Sequence, residues 1–139
     1  MERLNTAGST AMGKTTETMR WSGLEGFSRY EISDAGLVRN IETKIPMRDY
    51  DDGKNGYRKI KLTDDTGRRV MFYVHRLVWT AFNGPIREKH EIDHVDGDYT
   101  NNVLDNLIQV THRQNSVLKK QRNSAYLFNR KARRKAVSP

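Results

Sequence analysis

Five clusters of turn-forming residues cut this chain into pieces too short for long helices or a large sheet. They are Ser33-Asp34-Ala35-Gly36, Asp51-Asp52-Gly53-Lys54-Asn55-Gly56, Asp64-Asp65-Thr66-Gly67, Asn83-Gly84-Pro85 and Asp96-Gly97-Asp98. Glycine supplies the positive φ that such turns need, while Asp and Asn side chains bond the backbone a residue or two onward. Only short strands and short helices fit between them. The implied fold class is α+β, made of small antiparallel sheets with short helices.

The period of each intervening segment indicates its type. In residues 57–62, Tyr57, Lys59 and Lys61 alternate with Arg58, Ile60 and Leu62, which is a strand pattern. Ile60 and Leu62 are expected to face a core, with Tyr57, Lys59 and Lys61 facing outward as a stripe suited to phosphate. The turn at 64–67 returns the chain as a partner strand, with Val70, Phe72 and Val74 inward. Val74, Leu77, Val78, Ala81 and Phe82 then fall on one helical face, ended by Asn83-Gly84-Pro85. His75 flanks that face and is expected to pack or hydrogen-bond there rather than to catalyse. Upstream, short strands are expected at residues 37–41 and near 44–48.

Further on, residues 91–94 and 107–110 read as two strands around the 96–98 turn. Thr111 and Gln114 match a capping box, in which each side chain bonds the other's free backbone N–H. A helix is therefore expected from about His112 through Lys120. The local pattern is strand, long turn, strand, helix.

Charge is unevenly placed. The net charge is +8, yet the last acidic residue is Asp105, and residues 106–139 hold nine Lys or Arg. A basic tail favours nucleic acid over acidic partners. No apolar run approaches the ~18 residues of a membrane span. The first residues lack an apolar signal core, so a cytoplasmic location is expected. The chain has no Cys, which excludes disulfides and thiolate metal sites. Four regions are expected: a disordered 1–19, a β-rich region with a helix at 20–83, a strand–strand–helix unit at 84–121, and a basic tail at 122–139.

Asp93-His94 is the densest chemical feature. Hydrolysis of a phosphodiester needs a base for water and a cation for the leaving oxygen. His94 can be the base. Asp93 and Asn115 offer oxygen ligands suited to a hard cation such as Mg²⁺, with Mn²⁺ also acceptable. Asn106 can tie the intervening loop through its amide. His90 and His94 make a poor zinc pair, because a strand separates them and no Cys completes the set. A calcium loop is equally poor, since the acidic spacing does not alternate and the closing Glu is missing.

Asp93-His94, Asn106-Leu107 twelve residues on and Asn115 nine further, together with HVDGD, Asn101-Asn102 and Val110-Thr111, resemble the HNH endonuclease family. The likeness is to its phage and intron homing branch. It implies a ββα-metal fold in which Asp93 and Asn115 hold one divalent metal. His94 is then the general base, and Asn106 orders the loop and the histidine.

Trp21, Gly26-Phe27, Tyr30, Ser33, Gly36 and Val38-Arg39 are similar to an upstream motif implicated in DNA binding. Val74-His75-Arg76-Leu77-Val78 is also typical of the branch. Thr111 and Gln114 stand where the structural-zinc cysteines of other members fall, so no structural zinc is expected. Residues expected to meet double-stranded DNA are Arg39, Tyr57, Lys59, Lys61, Arg76, Arg113, Lys119, Lys120 and Arg122. One site per chain implies a monomer or weak homodimer acting in the bacterial cell a phage infects. The alternative is a non-catalytic DNA-binding protein on the same scaffold.

Overall fold

The computed structural model describes residues 18–123. The expectations for residues 1–17 and for the tail from 124 lie outside the described residues. Three small antiparallel sheets and two α-helices follow one another. Strands β1 (Trp21–Gly23), β2 (Tyr30–Ser33) and β3 (Val38–Asn40) form the first sheet. Strands β4 (Lys59–Thr63) and β5 (Arg69–Tyr73) form a hairpin, and helix α1 (Val74–Asn83) follows at once. Strands β6 (His90–His94) and β7 (Leu107–Thr111) pair next, joined by a loop that ends in a 3₁₀ turn at Leu104–Asn106. Helix α2 covers residues 112–123.

The turn chemistry sets these boundaries. Ser33 Oγ accepts from the backbone N–H of Ala35 and Leu37, and Gly36 takes φ 88°. Asp64 Oδ1 accepts from the N–H of Thr66 and Arg68, closing the β4–β5 hairpin. Gly84 at φ 84° ends α1, and the following Pro85 has no N–H with which to continue it.

One apolar cluster ties the pieces together. Ile32 and Val38 of the first sheet, Ile60 and Leu62 of β4, Val74, Leu77 and Val78 of α1, and Ile92 and Leu107 of β6 and β7 are all in it. Burying a side chain of this size contributes roughly 1.5–3 kcal/mol, so the cluster also fixes how the β6–β7 unit sits on the rest. The core spans the 83/84 position at which the sequence reading separates two regions.

Two expectations fail for identifiable reasons. No strand forms at 44–48. That segment runs beside β3 through an isolated bridge, Arg39 to Pro46, and Pro46 cannot donate to a ladder. The outward stripe on β4 also breaks down at Lys59. Lys61 is exposed, but Lys59 is only 3% exposed, with Nζ 2.8 Å from Asp52 Oδ1 and 3.0 Å from Asn55 Oδ1. The 51–56 loop folds over it, because Tyr50 and Lys59 exchange backbone hydrogen bonds at 2.8 Å in both directions.

Candidate active site

The site is built on β6, β7 and α2. Asp93 pairs across the ladder with Ile108, and His94 with Leu107. The capping box forms as expected: Gln114 N–H donates to Thr111 Oγ1 at 3.1 Å, and Thr111 N–H to Gln114 Oε1 at 2.9 Å. These bonds start α2 at residue 112 and place Asn115 in its first turn.

His94 has no solvent exposure. Its Nε2 lies 2.7 Å from Asn102 Oδ1. That oxygen can only accept, so Nε2 carries the proton and the Nδ1 lone pair is left free. No hydrogen-bond partner reaches the buried Nδ1. The ring lies among Tyr57, Tyr99 and His75, at centroid distances of 6.1, 5.5 and 4.9 Å. Tyr57 and Tyr99 themselves stack at 4.3 Å and 8°. Burial first, then the charges of His94 and Arg76, push the His75 imidazole down to about 3, so His75 is neutral at physiological pH.

Asn106 does not touch the histidine ring through any of its hydrogen bonds. Its Nδ2 donates to Asp96 Oδ1 at 3.0 Å and to the Asn101 carbonyl at 2.9 Å, and its Oδ1 accepts from Asp96 N–H at 3.2 Å. It therefore laces the loop, while Asn102 holds the ring. Asn102 is itself seated by the first sheet. A Cβ added to Gly36 would meet Asn102 Cβ at 3.0 Å, and Leu104 N–H donates to the Asp34 carbonyl at 2.8 Å.

Asp93 is 3% exposed. Its Oδ2 takes a 2.6 Å hydrogen bond from Arg122 Nη2, and Arg122 Nη1 donates to the His94 carbonyl at 3.0 Å. Asn115, 4% exposed, donates from Nδ2 to Glu91 Oε1, and no partner reaches its Oδ1. Burial opposes ionisation of Glu91. Hydrogen bonds from His112 and Asn115 outweigh it and hold the carboxyl below its ordinary value. A cleft of about 320 Å³ opens between α1 and α2, with Tyr57, His75, Arg76, Glu91, Asn115 and Lys119 among its walls. The Tyr57 phenol is pushed up by burial, then by Tyr99 and by the nearby Asp93 and Glu91 carboxylates.

The expected DNA-contacting residues are scattered. Arg39 is engaged already, 2.6 Å from Glu31 and 3.6 Å above the Trp21 ring. Tyr57 sits beside His94 rather than on an outer stripe. Lys61, Arg76, Arg113 and Lys120 are exposed, Lys119 is half-buried, and Arg122 is paired with Asp93. Sequence reasoning missed Asn102 and Glu91. Glu91 was findable, because it lies two residues before Asp93 and strand alternation puts both on one face.

An oxygen-donor pair beside a held histidine, on two strands and a helix, is the arrangement of an HNH nuclease motif. Residues 72–117 match the family profile described as HNH endonuclease, so this stretch of the chain is an HNH endonuclease unit. It is 34% identical over 98 residues to the DNA endonuclease I-HmuI of Bacillus phage SP01, covering 70% of this chain and 55% of that protein. It is 30% identical over 106 residues to the uncharacterized HNH endonuclease L247 of Acanthamoeba polyphaga mimivirus, covering 75% of this chain and 26% of that one. Protein 3.8 of Escherichia phage T7 shares 48% over 42 residues, 30% of this chain and 35% of its own.

The solved structure describing DNA binding and cleavage by the HNH homing endonuclease I-HmuI superposes with a TM-score of 0.67. The identity there is 32%, covering 76% of this chain and 60% of that one. The chain thus spans between about a quarter and just over half of the length of these curated relatives. The α+β fold is the fold of that structure.

Proposed function

We propose that this protein is a metal-dependent DNA endonuclease of the homing type, cutting a phosphodiester bond with His94 as general base and one divalent cation. The observation that carries this reading is a pair of buried acceptors left without partners, His94 Nδ1 and Asn115 Oδ1. Leaving such a group unmade costs roughly 1–3 kcal/mol, and both belong to the chemical constellation the sequence singles out.

The donor set fits a hard cation. Asp93 and Asn115 are its holders, and both offer oxygen, as Mg²⁺ or Mn²⁺ prefers. Among the described residues no three His, Asp or Glu side chains gather into a metal cluster, so the site relies on the DNA phosphate for further oxygens. When bound, the cation supplies positive charge to the scissile phosphate and the leaving oxygen.

The residues do the rest. Neutral His94 takes a proton from water at Nδ1 as the water oxygen bonds to phosphorus and the P–O bond to the leaving sugar oxygen breaks. Asn102 Oδ1, 2.7 Å from Nε2, keeps the tautomer and steadies the imidazolium that forms. Asp93 would hold the cation once Arg122 lets go of its carboxylate, and that guanidinium would then be available to phosphate. Lys61, Arg76, Arg113, Lys119 and Lys120 add sequence-independent affinity for the double-stranded DNA backbone. One site in one chain cuts one strand per encounter. The relatives from Bacillus and Escherichia phages support a target in a bacterial cell, and among the described residues no helix is long and apolar enough to cross a membrane.

Supercoiled plasmid incubated with the protein tests this. Nicked circles that form with Mg²⁺ or Mn²⁺ and vanish with a chelator are expected. Binding with no cleavage under either metal overturns the enzyme reading and favours a DNA-binding protein on an HNH scaffold.

A further inference from the structure

We infer that Glu91 is a positioning residue that sets the amide of Asn115, keeping its oxygen toward the cation. The inference rests on the metal reading above. Glu91 shares a face of β6 with Asp93. Asn115 Nδ2 donates to Glu91 Oε1, while Asn115 Oδ1 stays buried and unpartnered. The other Glu91 oxygen, Oε2, lies 3.1 Å from His112 Nδ1, so the carboxylate is anchored to the first turn of α2 at two points.

An asparagine amide has nearly the same shape when turned over, but its chemistry reverses. Turned over, Asn115 would present an NH₂ to the cation, and two positive hydrogens repel it. The same turn would press Oδ1 against the Glu91 carboxylate, acceptor against acceptor. Glu91 therefore selects one of two amide orientations. His112 is 86% exposed at its side chain, so its contact with Glu91 is screened by water and contributes little. The Asn115 bond, in the buried part, carries the selection. Partners that orient a metal ligand in this way are commonly worth ~10–100-fold in affinity.

The test uses the full chain bound to duplex DNA, titrated with Mn²⁺ alone and followed by the electron paramagnetic resonance of free Mn²⁺. Glu91→Ala should weaken Mn²⁺ binding by ~10–100-fold. Glu91→Gln keeps an acceptor and loses only a charge, so it should stay within ~5-fold of wild type. Wild-type affinity in Glu91→Ala overturns the inference, and so does Glu91→Gln as weak as Glu91→Ala, which would make charge rather than orientation the cause.

Asp93→Ala separates the two levels. If wild type shows no Mn²⁺ binding that depends on Asp93, the metal reading falls and this inference with it. If binding depends on Asp93 but not on Glu91, only this inference falls. Should Glu91→Ala fail to fold, the Asn115 side-chain amide of the wild type decides by NMR. Slowed hydrogen exchange at one Nδ2 proton, faster in Glu91→Gln, is expected; exchange as fast as at exposed asparagines overturns the inference.

Discussion

On one face of β6, Ile92 and His94 sink into packed surroundings, at 3% and 0% exposure; on the other, Glu91 and Asp93 meet the polar side of α2. The histidine is fixed by things that do not readily exchange: aromatic rings, an Asn102 acceptor, and a loop pressed against Gly36. Asp93 and Asn115 are held instead by ionic and amide partners, Arg122 and Glu91. Asp93 is as buried as Ile92 but is satisfied by a guanidinium that a cation can replace. A base needs a fixed tautomer before substrate arrives, whereas a metal ligand needs a partner it can release. On the proposed mechanism the same strand would supply both, because alternate residues face opposite ways.

The largest expected effect falls on the fixed face. Asn102→Ala leaves Nε2–H without its acceptor and lets either ring nitrogen carry the proton. Cleavage should drop by up to ~10² with DNA affinity close to wild type, read by single-turnover kinetics and a binding isotherm. Equal loss of binding and rate would show that Asn102 is a DNA contact instead.

The exchangeable face should respond in the opposite sense. Arg122→Ala removes the cation that competes for Asp93, so free protein should bind Mn²⁺ up to ~10-fold more tightly and lose thermal stability without metal. A buried charge stripped of its partner accounts for the lost stability. Unchanged or weaker Mn²⁺ binding by calorimetry would mean that Arg122 and the cation do not share Asp93.

A smaller effect concerns the same contrast on β4. Lys59→Ala should lower the thermal midpoint by several degrees, because Asp52 and Asn55 lose their shared partner. Lys61→Ala should leave the midpoint nearly unchanged, since exposed charges add little. Equal midpoints would contradict the burial of Lys59.

The smallest concerns His75. Its imidazole sits at about 3 in the fold, against ~6.5 when unfolded. The unfolded chain therefore binds more protons between those values, so stability is full above ~6.5 and falls on acidification, by at most ~1.4 kcal/mol per pH unit. Between pH 6 and 5, above the carboxyl range, His75→Gln should show a shallower decline in denaturant midpoint than wild type. Parallel declines would contradict a neutral His75.

Where local chemistry decides, the sequence reads well. The capping box, the hairpin turn at 64–67, the Gly84 stop and the β6–β7 pair all depend on neighbours within a few residues. Asp93 and Asn115 do lie on adjoining elements, strand and helix. What could not be read depends on distant groups. Lys59 obeys alternation, yet a loop closes over it through the Tyr50 bridge. Asn102 rather than Asn106 reaches His94, because the loop's path is set by Asp34 and Gly36 more than sixty residues upstream. The Arg122 pairing needs the helix docked over the strand before it exists at all.

The most direct test is cleavage by Asp93→Ala and His94→Ala across Mg²⁺ concentration and pH. If the two faces divide metal from base, His94→Ala loses about ~10²–10⁴ in rate, gains nothing from excess Mg²⁺, and lacks the acid limb of the wild-type pH profile. Asp93→Ala keeps that limb and recovers part of its rate as Mg²⁺ rises. His94→Ala cutting as fast as wild type at every pH, or both variants answering to Mg²⁺ alike, would contradict the account.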